Sequence, residues 1–158
     1  MILSKQLVLF LNIVHTSMKQ CMVNDFKQSG FNLTPEQFLV MDTLWDEGVL
    51  TQQQIADITL RDKNSIVKLI DGLESRKLVT RVSNPDDRRQ NLIKVTDYSR
   101  SIKDKVTKVA MDSVQKIIRG LAQPDLEAFV RMLSKMELNI DPKVDLMAMA
   151  TKYPTNKQ

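Results

Sequence analysis

The chain has 158 residues, of which 42% are hydrophobic, so it has the usual size of one domain and enough apolar residues for a core. With 4 glycines, 5 prolines and 27% charged residues, its composition excludes a fibrous or low-complexity protein. A single cysteine excludes an intramolecular disulfide, and the longest apolar run, residues 7–11, is too short to cross a membrane.

The N-terminal sequence does not have the pattern of a targeting segment. No basic stretch precedes an apolar core, and no small-residue cleavage site follows, so we expect no signal peptide and take the chain as intact. The sequence therefore predicts one domain over 1–158, located in the cytoplasm, with no membrane partner.

The first thirty residues predict one long helix. Apolar residues recur every three or four positions, and Gly30 suits the position just after the helix end. The stripe comprises Leu7, Leu11, Val14, Met18, Cys21 and Met22. A second helix is predicted to begin at Pro35, because Thr34 and Gln37 are spaced as a capping box. Its buried face should contain Phe38, Met41, Leu44 and Trp45.

Two short helices are predicted next. Thr51 and Gln54 repeat the capping pattern of the preceding helix, and Asp62 can cap the helix that follows. In that helix the apolar residues recur at i, i+3, i+4 and i+7 from Ile66, whereas the opposite face is polar. Two short helices joined by a tight turn are typical of a helix-turn-helix.

The hydrophobic period changes after Lys77. Residues 78–83 and 91–96 are β-branched runs that flank a charged segment, 84–90, which predicts a β-hairpin with a long tip. A further helix should begin at Thr96-Asp97 and run to Gly120, and Pro124 at N1 should open the last clear helix. Beyond it, residues 144–149 can add one short helix within a partly ordered tail, 141–158.

The helix-turn-helix and the hairpin tip together indicate binding to double-stranded DNA. Residues near the N-terminus of the second helix meet base edges in the major groove, and an arginine at a hairpin tip can enter the minor groove. Asp87 can form an ion pair with one of the two tip arginines. The candidate DNA-binding residues are Thr51, Gln52, Lys63, Asn64, Ser65, Val67, Lys68, Arg81, Asp87, Arg88 and Arg89.

The distribution of charge supports the same interpretation. Nine basic and five acidic residues lie between Arg61 and Lys94, so this segment carries the whole net charge of +4. Such clustering is typical of a surface that binds phosphates. A merely solvated charged face explains the charge alone equally well, and a winged helix that binds proteins is a second alternative.

Four segments with this order and spacing resemble the core of the MarR family: residues 50–57, 62–74, 78–81 and 84–96. The most diagnostic match is the Asp86-Asp87-Arg88-Arg89 tip followed by a Leu-x-x-x-Thr strand, and a looser similarity extends from Val14 to about Ile140. The resemblance implies a mainly α fold with a small β-hairpin wing. In this fold a winged helix-turn-helix lobe, 34–96, is flanked by dimerisation helices in 1–30 and 97–140.

The same resemblance implies a function and its partners. Family members are homodimers that bind a roughly palindromic operator, and many are repressors released by a small aromatic, often anionic, effector in a crevice between the dimerisation helices and the DNA-binding lobe. His15 lies beside the stripe of the first helix and could face that crevice. Two departures stand out. Val67 and Lys68 replace a frequent Thr-Arg pair, and Lys77 replaces a frequent glycine, which argues against the usual helix C-cap there.

The sequence does not favour an enzyme. It has no glycine-rich phosphate loop, no cluster of residues with metal-ligand spacing and no nucleophile beside a base, so we expect no catalytic residue, metal or cofactor. A redox-responsive regulator using Cys21 is the other alternative. We interpret Cys21 as an unreactive thiol, because it lies on the apolar stripe and Lys19 is the only cation near it in sequence.

Overall fold

The computed structural model describes residues 2–152, which form two compact units, one ending at Ile117 and the other beginning at Ile118. The first unit contains α1 (Ile2–Gln28), α2 (Pro35–Glu47), β1 (Leu50–Thr51), α3 (Gln52–Thr59), α4 (Lys63–Ser75), β2 (Val79–Ser83), β3 (Asn91–Val95) and α5 (Asp97–Ile117). The second contains α6 (Gln123–Ile140) and α7 (Leu146–Lys152). The predicted winged helix-turn-helix, mainly helical with a small sheet, is confirmed.

The helix starts follow from local capping. The Thr34 hydroxyl accepts a hydrogen bond from the Gln37 backbone N–H at 3.2 Å, and the Gln37 side chain accepts one from the Thr34 N–H. Thr51 and Gln54 form the same reciprocal pair. Both capping boxes were predicted, and each satisfies backbone donors that have no partner inside the helix.

The end of α4 corrects one expectation. Lys77, which replaces the frequent glycine, nevertheless adopts the left-handed conformation, with φ of 58°. Its N–H donates to the Glu74 carbonyl, and the next residue, Leu78, donates to Leu73. These bonds satisfy the terminal carbonyls of the helix. The chain therefore makes the usual reversal at the end of α4 although the residue there is not glycine.

The three strands form one antiparallel sheet in the order β1-β3-β2. In the predicted hairpin, Val79 pairs with Val95 and Ser83 with Asn91. The first strand, in which Leu50 pairs with Ile93, was not predicted, because two residues are too few to show an alternating pattern. It attaches the start of α3 to the sheet.

One hydrophobic core fixes the helix-turn-helix against the sheet and against α1, α2 and α5. Its fully buried side chains are large and apolar, so burial of apolar area is the main source of stability here. They include Phe26, Val40, Met41, Leu44, Ile55, Ile66, Ile70, Leu73, Val79, Ile93 and Val106.

Several boundaries differ from the sequence prediction. The helix expected to reach Gly120 ends at Ile117, and Pro124 is the second residue of α6, which begins at Gln123, and not the first. A short helix is present near the predicted position, as α7, whereas residues 153–158 of the predicted tail lie outside the described residues. Within residues 2–152, no helix is long and apolar enough to span a membrane.

Candidate nucleic-acid interface

Helix α4 presents a polar face to solvent near its N-terminus. Lys63, Asn64 and Lys68 are exposed, and Ser65 and Val67 are partly exposed. The opposite face, which includes Ile66 and Ile70, is completely buried. Core packing therefore determines which side chains of this helix can reach a groove.

The N-cap of α4 restricts what Ser65 can do. Asp62 accepts a hydrogen bond from the Ser65 N–H at 2.9 Å and a second, short one from the Ser65 hydroxyl. The hydrogen bond from this hydroxyl is the main reason why the pKa of Asp62 is lowered. Because its proton is donated to Asp62, the Ser65 hydroxyl can offer only its lone pairs to a base.

Thr51 and Gln52 lie at the start of α3 and are partly exposed. The Thr51 hydroxyl accepts the capping bond from Gln54 at 3.1 Å, which leaves its own proton free to donate to a phosphate oxygen. The N-terminal end of a helix also carries a partial positive charge. Both residues are thus suited to a contact with the DNA backbone.

The wing tip is held by side-chain to backbone bonds. The Asp87 carboxylate accepts one hydrogen bond from the Arg89 N–H at 2.9 Å and another from the Gln90 side chain at 3.1 Å. Among the described residues Asp87 forms no ion pair with Arg88 or Arg89, so the expected role of Asp87 is corrected. Asp87 shapes the tip, and both exposed arginines keep their guanidinium groups available for a ligand.

Arg81 lies in quite different surroundings from Arg88 and Arg89. Its guanidinium forms ion pairs with Glu74 and Asp71 of α4, and its N–H donates to Glu74 at 3.0 Å. Burial alone would lower the pKa of Arg81, but the hydrogen bonds with Asp71 and Glu74 outweigh it and raise that pKa. The structure therefore brings this candidate DNA-binding residue to α4 and not to the exposed face of the wing.

A cavity of about 380 Å³ lies beside the wing, between the C-terminal end of α2, strand β3 and the start of α5. Lys94, Arg100 and Lys103 line it together with Trp45. The sequence shows that Lys94 alternates with two buried strand residues, but it does not show that two cations of the next helix meet it. Sequence reasoning therefore missed this site.

The two remaining candidates lie on α1. His15 is exposed and does not line the cavity. Cys21 is half-buried, with its sulfur 3.8 Å from an Asp25 carboxylate oxygen. Lys19, the cation identified from the sequence, pairs instead with Glu36 at 2.7 Å, whereas Lys116 of α5 approaches the thiol.

Lys116 contacts Asp25 as well as Cys21. Its ammonium group lies 2.8 Å from both carboxylate oxygens of Asp25, which therefore neutralises most of its charge. These contacts agree with the interpretation of Cys21 as an unreactive thiol, which stays a prediction.

Comparison with known proteins gives consistent results. The sequence model of the MarR family matches residues 33–90. The HTH-type transcriptional regulator MhqR of Bacillus subtilis is 26% identical over 136 residues, which cover 86% of this chain and 92% of MhqR. HTH-type transcriptional regulator MgrA of Staphylococcus aureus is 29% identical over 67% of this chain and 71% of its own.

Solved structures show the same fold. Bordetella bronchiseptica BpsR, described with a mechanism for regulation of its DNA binding by 6-hydroxynicotinic acid, superimposes with a TM-score of 0.76. It is 26% identical, and the match covers 85% of this chain and 94% of BpsR. An Escherichia coli MarR mutant complexed with operator DNA has a TM-score of 0.75 at 20% identity, over 82% and 92% of the two chains.

Proposed function

We propose that this chain is a homodimeric repressor of the MarR family, because the model of this family matches residues 33–90 and the transcriptional regulator MhqR is similar over most of the chain. In this proposal it binds a palindromic operator and is released from DNA by a small aromatic effector. The observation that carries the DNA-binding part is the exposed polar face of α4 beside a wing whose tip arginines have no carboxylate partner among the described residues.

We propose that residues of α4 contact bases in the major groove and that residues at the start of α3 contact phosphates. Lys63, Asn64 and Lys68 face the major groove, where lysine can donate to guanine and asparagine can form two hydrogen bonds with adenine. Val67 contacts a thymine methyl group, and Ser65 accepts from a base amino group. The partly exposed Thr51 and Gln52 contact phosphates.

The wing supplies the remaining contacts. We place Arg88 and Arg89 in the adjacent minor groove, whose negative potential attracts guanidinium groups. Asp87 supports them through the backbone of the tip. Arg81, which sequence reasoning placed among the DNA-binding residues, acts in our proposal through α4 and not on DNA.

The dimer is supported by the N-terminal half of α1. Seven of the eight residues from Leu7 to Val14 are apolar, and they surround the helix, with Val8 71% and Phe10 56% exposed in the single chain. A helix that is apolar on all sides is stable in water only when other elements cover it. We therefore assign residues 1–30 and 97–140 to dimerisation and residues 34–96 to DNA binding.

The effector part of the proposal rests on the family and on a relative. The DNA binding of BpsR is described as regulated by 6-hydroxynicotinic acid, which is an aromatic acid. We carry over only the chemical class, a small aromatic acid. His15, exposed on α1, would contribute to such a site from the dimerisation region.

Selection and sequencing of DNA fragments bound by the purified protein tests the proposal. We expect a palindrome whose half-sites are one helical turn, roughly 34 Å, apart, as two symmetry-related α4 helices require. The affinity for that site should fall steeply with salt concentration, because bound lysines and arginines displace counterions from the phosphates. A non-palindromic site, or an affinity independent of salt, would contradict the proposal.

Peroxide treatment separates this proposal from the redox alternative. If Cys21 is unreactive, exposure to hydrogen peroxide leaves the operator affinity of the protein unchanged, as in a Cys21→Ser variant. Loss of binding in the wild type that the variant does not show would instead identify a redox-responsive regulator.

A further inference from the structure

We propose that Thr96 is a positioning residue that fixes the end of α4 to the start of α5. Through this link it sets which spacing between two operator half-sites the protein accepts. Thr96 lies between β3, which ends at Val95, and α5, which begins at Asp97. The inference rests on the proposed function, because half-site spacing has a meaning only for a dimer on a two-part operator.

The Thr96 hydroxyl forms hydrogen bonds with two different elements at once. It donates its proton to the Lys77 carbonyl oxygen, just beyond the end of α4, at 2.7 Å. The same oxygen accepts a hydrogen bond from the N–H of Ser99, in the first turn of α5, at 3.1 Å, as an N-cap does. Because a hydroxyl has one proton and two lone pairs, it can make both bonds together.

The bond to Lys77 holds the chain reversal that ends α4. Lys77 has a φ of 58°, which is unfavourable for a residue with a side chain. The Thr96 backbone N–H also donates to the next carbonyl, that of Leu78, at 3.1 Å. Lys77 and Thr96 are 19 residues apart in sequence, so these bonds connect α4 to α5 without passing through the wing tip.

Ser99 extends this link to a third helix. Its side chain is completely buried, and its hydroxyl accepts a hydrogen bond from the Trp45 ring N–H at 3.1 Å. Trp45 belongs to α2, which packs against α4. The first turn of α5 is therefore bound to both α2 and α4, and a rotation of these helices relative to α5 would break the bonds of Thr96 and Ser99.

A stiff link between α4 and α5 has a consequence for DNA binding. In the proposed dimer α5 belongs to the dimerisation region, so an α4 fixed to its own α5 lies at a fixed distance from the α4 of the second copy. One base pair added between the half-sites moves them apart by about 3.4 Å and rotates one against the other by roughly a tenth of a turn. A stiff link disfavours the longer operator, whereas a loosened link lets each α4 turn to reach it.

The ratio of affinities for the selected operator and for an operator with one added base pair measures this stiffness. Thr96→Val removes the hydroxyl with little change of shape, and the ratio should fall at least about threefold because both bonds are lost. Thr96→Ser keeps the hydroxyl and should keep the wild-type ratio. Thr43→Val is the matched control, since it removes a buried hydroxyl that bonds to the Leu39 carbonyl within α2, and it should not change the ratio. Urea unfolding checks that each variant is folded.

Thr96→Asp separates the link from the capping of α5. An aspartate can accept the hydrogen bond from the Ser99 N–H, but its ionised carboxylate has no proton to donate to the Lys77 carbonyl. Hydrogen exchange of the Ser99 amide should therefore stay as slow as in the wild type, whereas the affinity ratio should fall as in Thr96→Val. A wild-type ratio in Thr96→Asp would show that Thr96 only caps α5, which overturns the proposal.

The outcomes for the wild type separate this inference from the proposed function. If the wild type selects no two-part site, the proposed function fails and the role of Thr96 in spacing fails with it. If the wild type prefers one spacing and Thr96→Val keeps that preference, only the role of Thr96 fails. An equal loss of affinity for both operators in Thr96→Val would show a general effect on folding, which also overturns the inference.

Discussion

Arginines 81, 88 and 89 belong to one hairpin, yet their side chains have different surroundings. Arg81 is bound by two carboxylates of α4, whereas Arg88 and Arg89 are exposed at the tip, where Asp87 binds backbone and amide groups instead. A guanidinium that already has two carboxylate partners gains little from a phosphate. We therefore expect the tip arginines, and not Arg81, to be the arginines of the wing that bind DNA.

Replacement of one tip arginine tests this distinction. Arg89→Ala should weaken operator binding by about 1–3 kcal/mol if the guanidinium enters a groove. Fluorescence anisotropy with labelled operator DNA measures the loss. Lys105→Ala, which removes one exposed positive charge from α5, controls for net charge and should change affinity much less. Equal losses in the two variants would mean that the wing acts only through its general charge.

At the scale of elements, the ion pairs of Arg81 connect the wing to α4. The residue bonds to Glu74 through both its backbone N–H and its side chain, and it also pairs with Asp71. Strand β2 is therefore fixed to the C-terminal half of α4. We therefore expect this contact to set the angle between the wing and α4, and so to position the tip for binding to DNA.

Arg81→Gln should weaken operator binding without changing its dependence on salt, because no phosphate contact is lost. Arg81→Lys keeps the charge but cannot bind two carboxylates with the geometry of a guanidinium. We therefore expect its operator affinity to lie between those of Arg81→Gln and the wild type. In the Arg81→Gln protein, Arg89→Ala should have a smaller effect than in the wild type, since the tip is no longer aligned. A flatter salt dependence in Arg81→Gln would show instead that Arg81 binds phosphate.

The sequence predicts contacts between residues close along the chain, but it does not predict contacts between separate elements. The two capping boxes at Thr34 and Thr51 follow from residues three positions apart, and both were predicted. The partners of Arg81 and the meeting of Lys94 with Lys103 depend on how separate elements pack, which no local pattern encodes. Asp87 was misjudged for a related reason, because carboxylates in turns also bind nearby backbone N–H groups.

At the scale of the whole molecule, we expect a second copy of the chain to cover the apolar surface of α1. Phe10→Glu places a charge on that surface and should weaken the dimer at least about tenfold, since a buried unpaired charge is costly. Sedimentation velocity measures the change, and operator affinity should fall with it. Ser75→Glu adds the same charge at an exposed site of the 34–96 lobe, outside the residues assigned to dimerisation, and should leave the dimer intact. A Phe10→Glu protein that remains dimeric would exclude this helix from the interface.

A polar cluster links the two longest helices of the first unit. Asp25 of α1 accepts hydrogen bonds from Lys116 at 2.8 Å and from the buried Ser113 hydroxyl at 2.6 Å, both on α5. The bond from Lys116, followed by the one from Ser113, lowers the pKa of Asp25. The folded protein therefore favours the ionised carboxylate more strongly than the unfolded chain does.

This shift predicts how the stability contributed by Asp25 depends on pH. The contribution is fully present above the pKa of an aspartate in the unfolded chain, about 4, and is lost as the pH falls through the lower pKa of the folded protein. Urea unfolding should show that Asp25→Asn is less stable than the wild type at pH 7 and that this difference shrinks below pH about 4. Asp112→Asn, which breaks only an exposed pair with Lys108, should show a much smaller difference at both pH values. A difference for Asp25→Asn that stays constant down to acid pH would mean that the carboxylate charge does not stabilise the contact between α1 and α5.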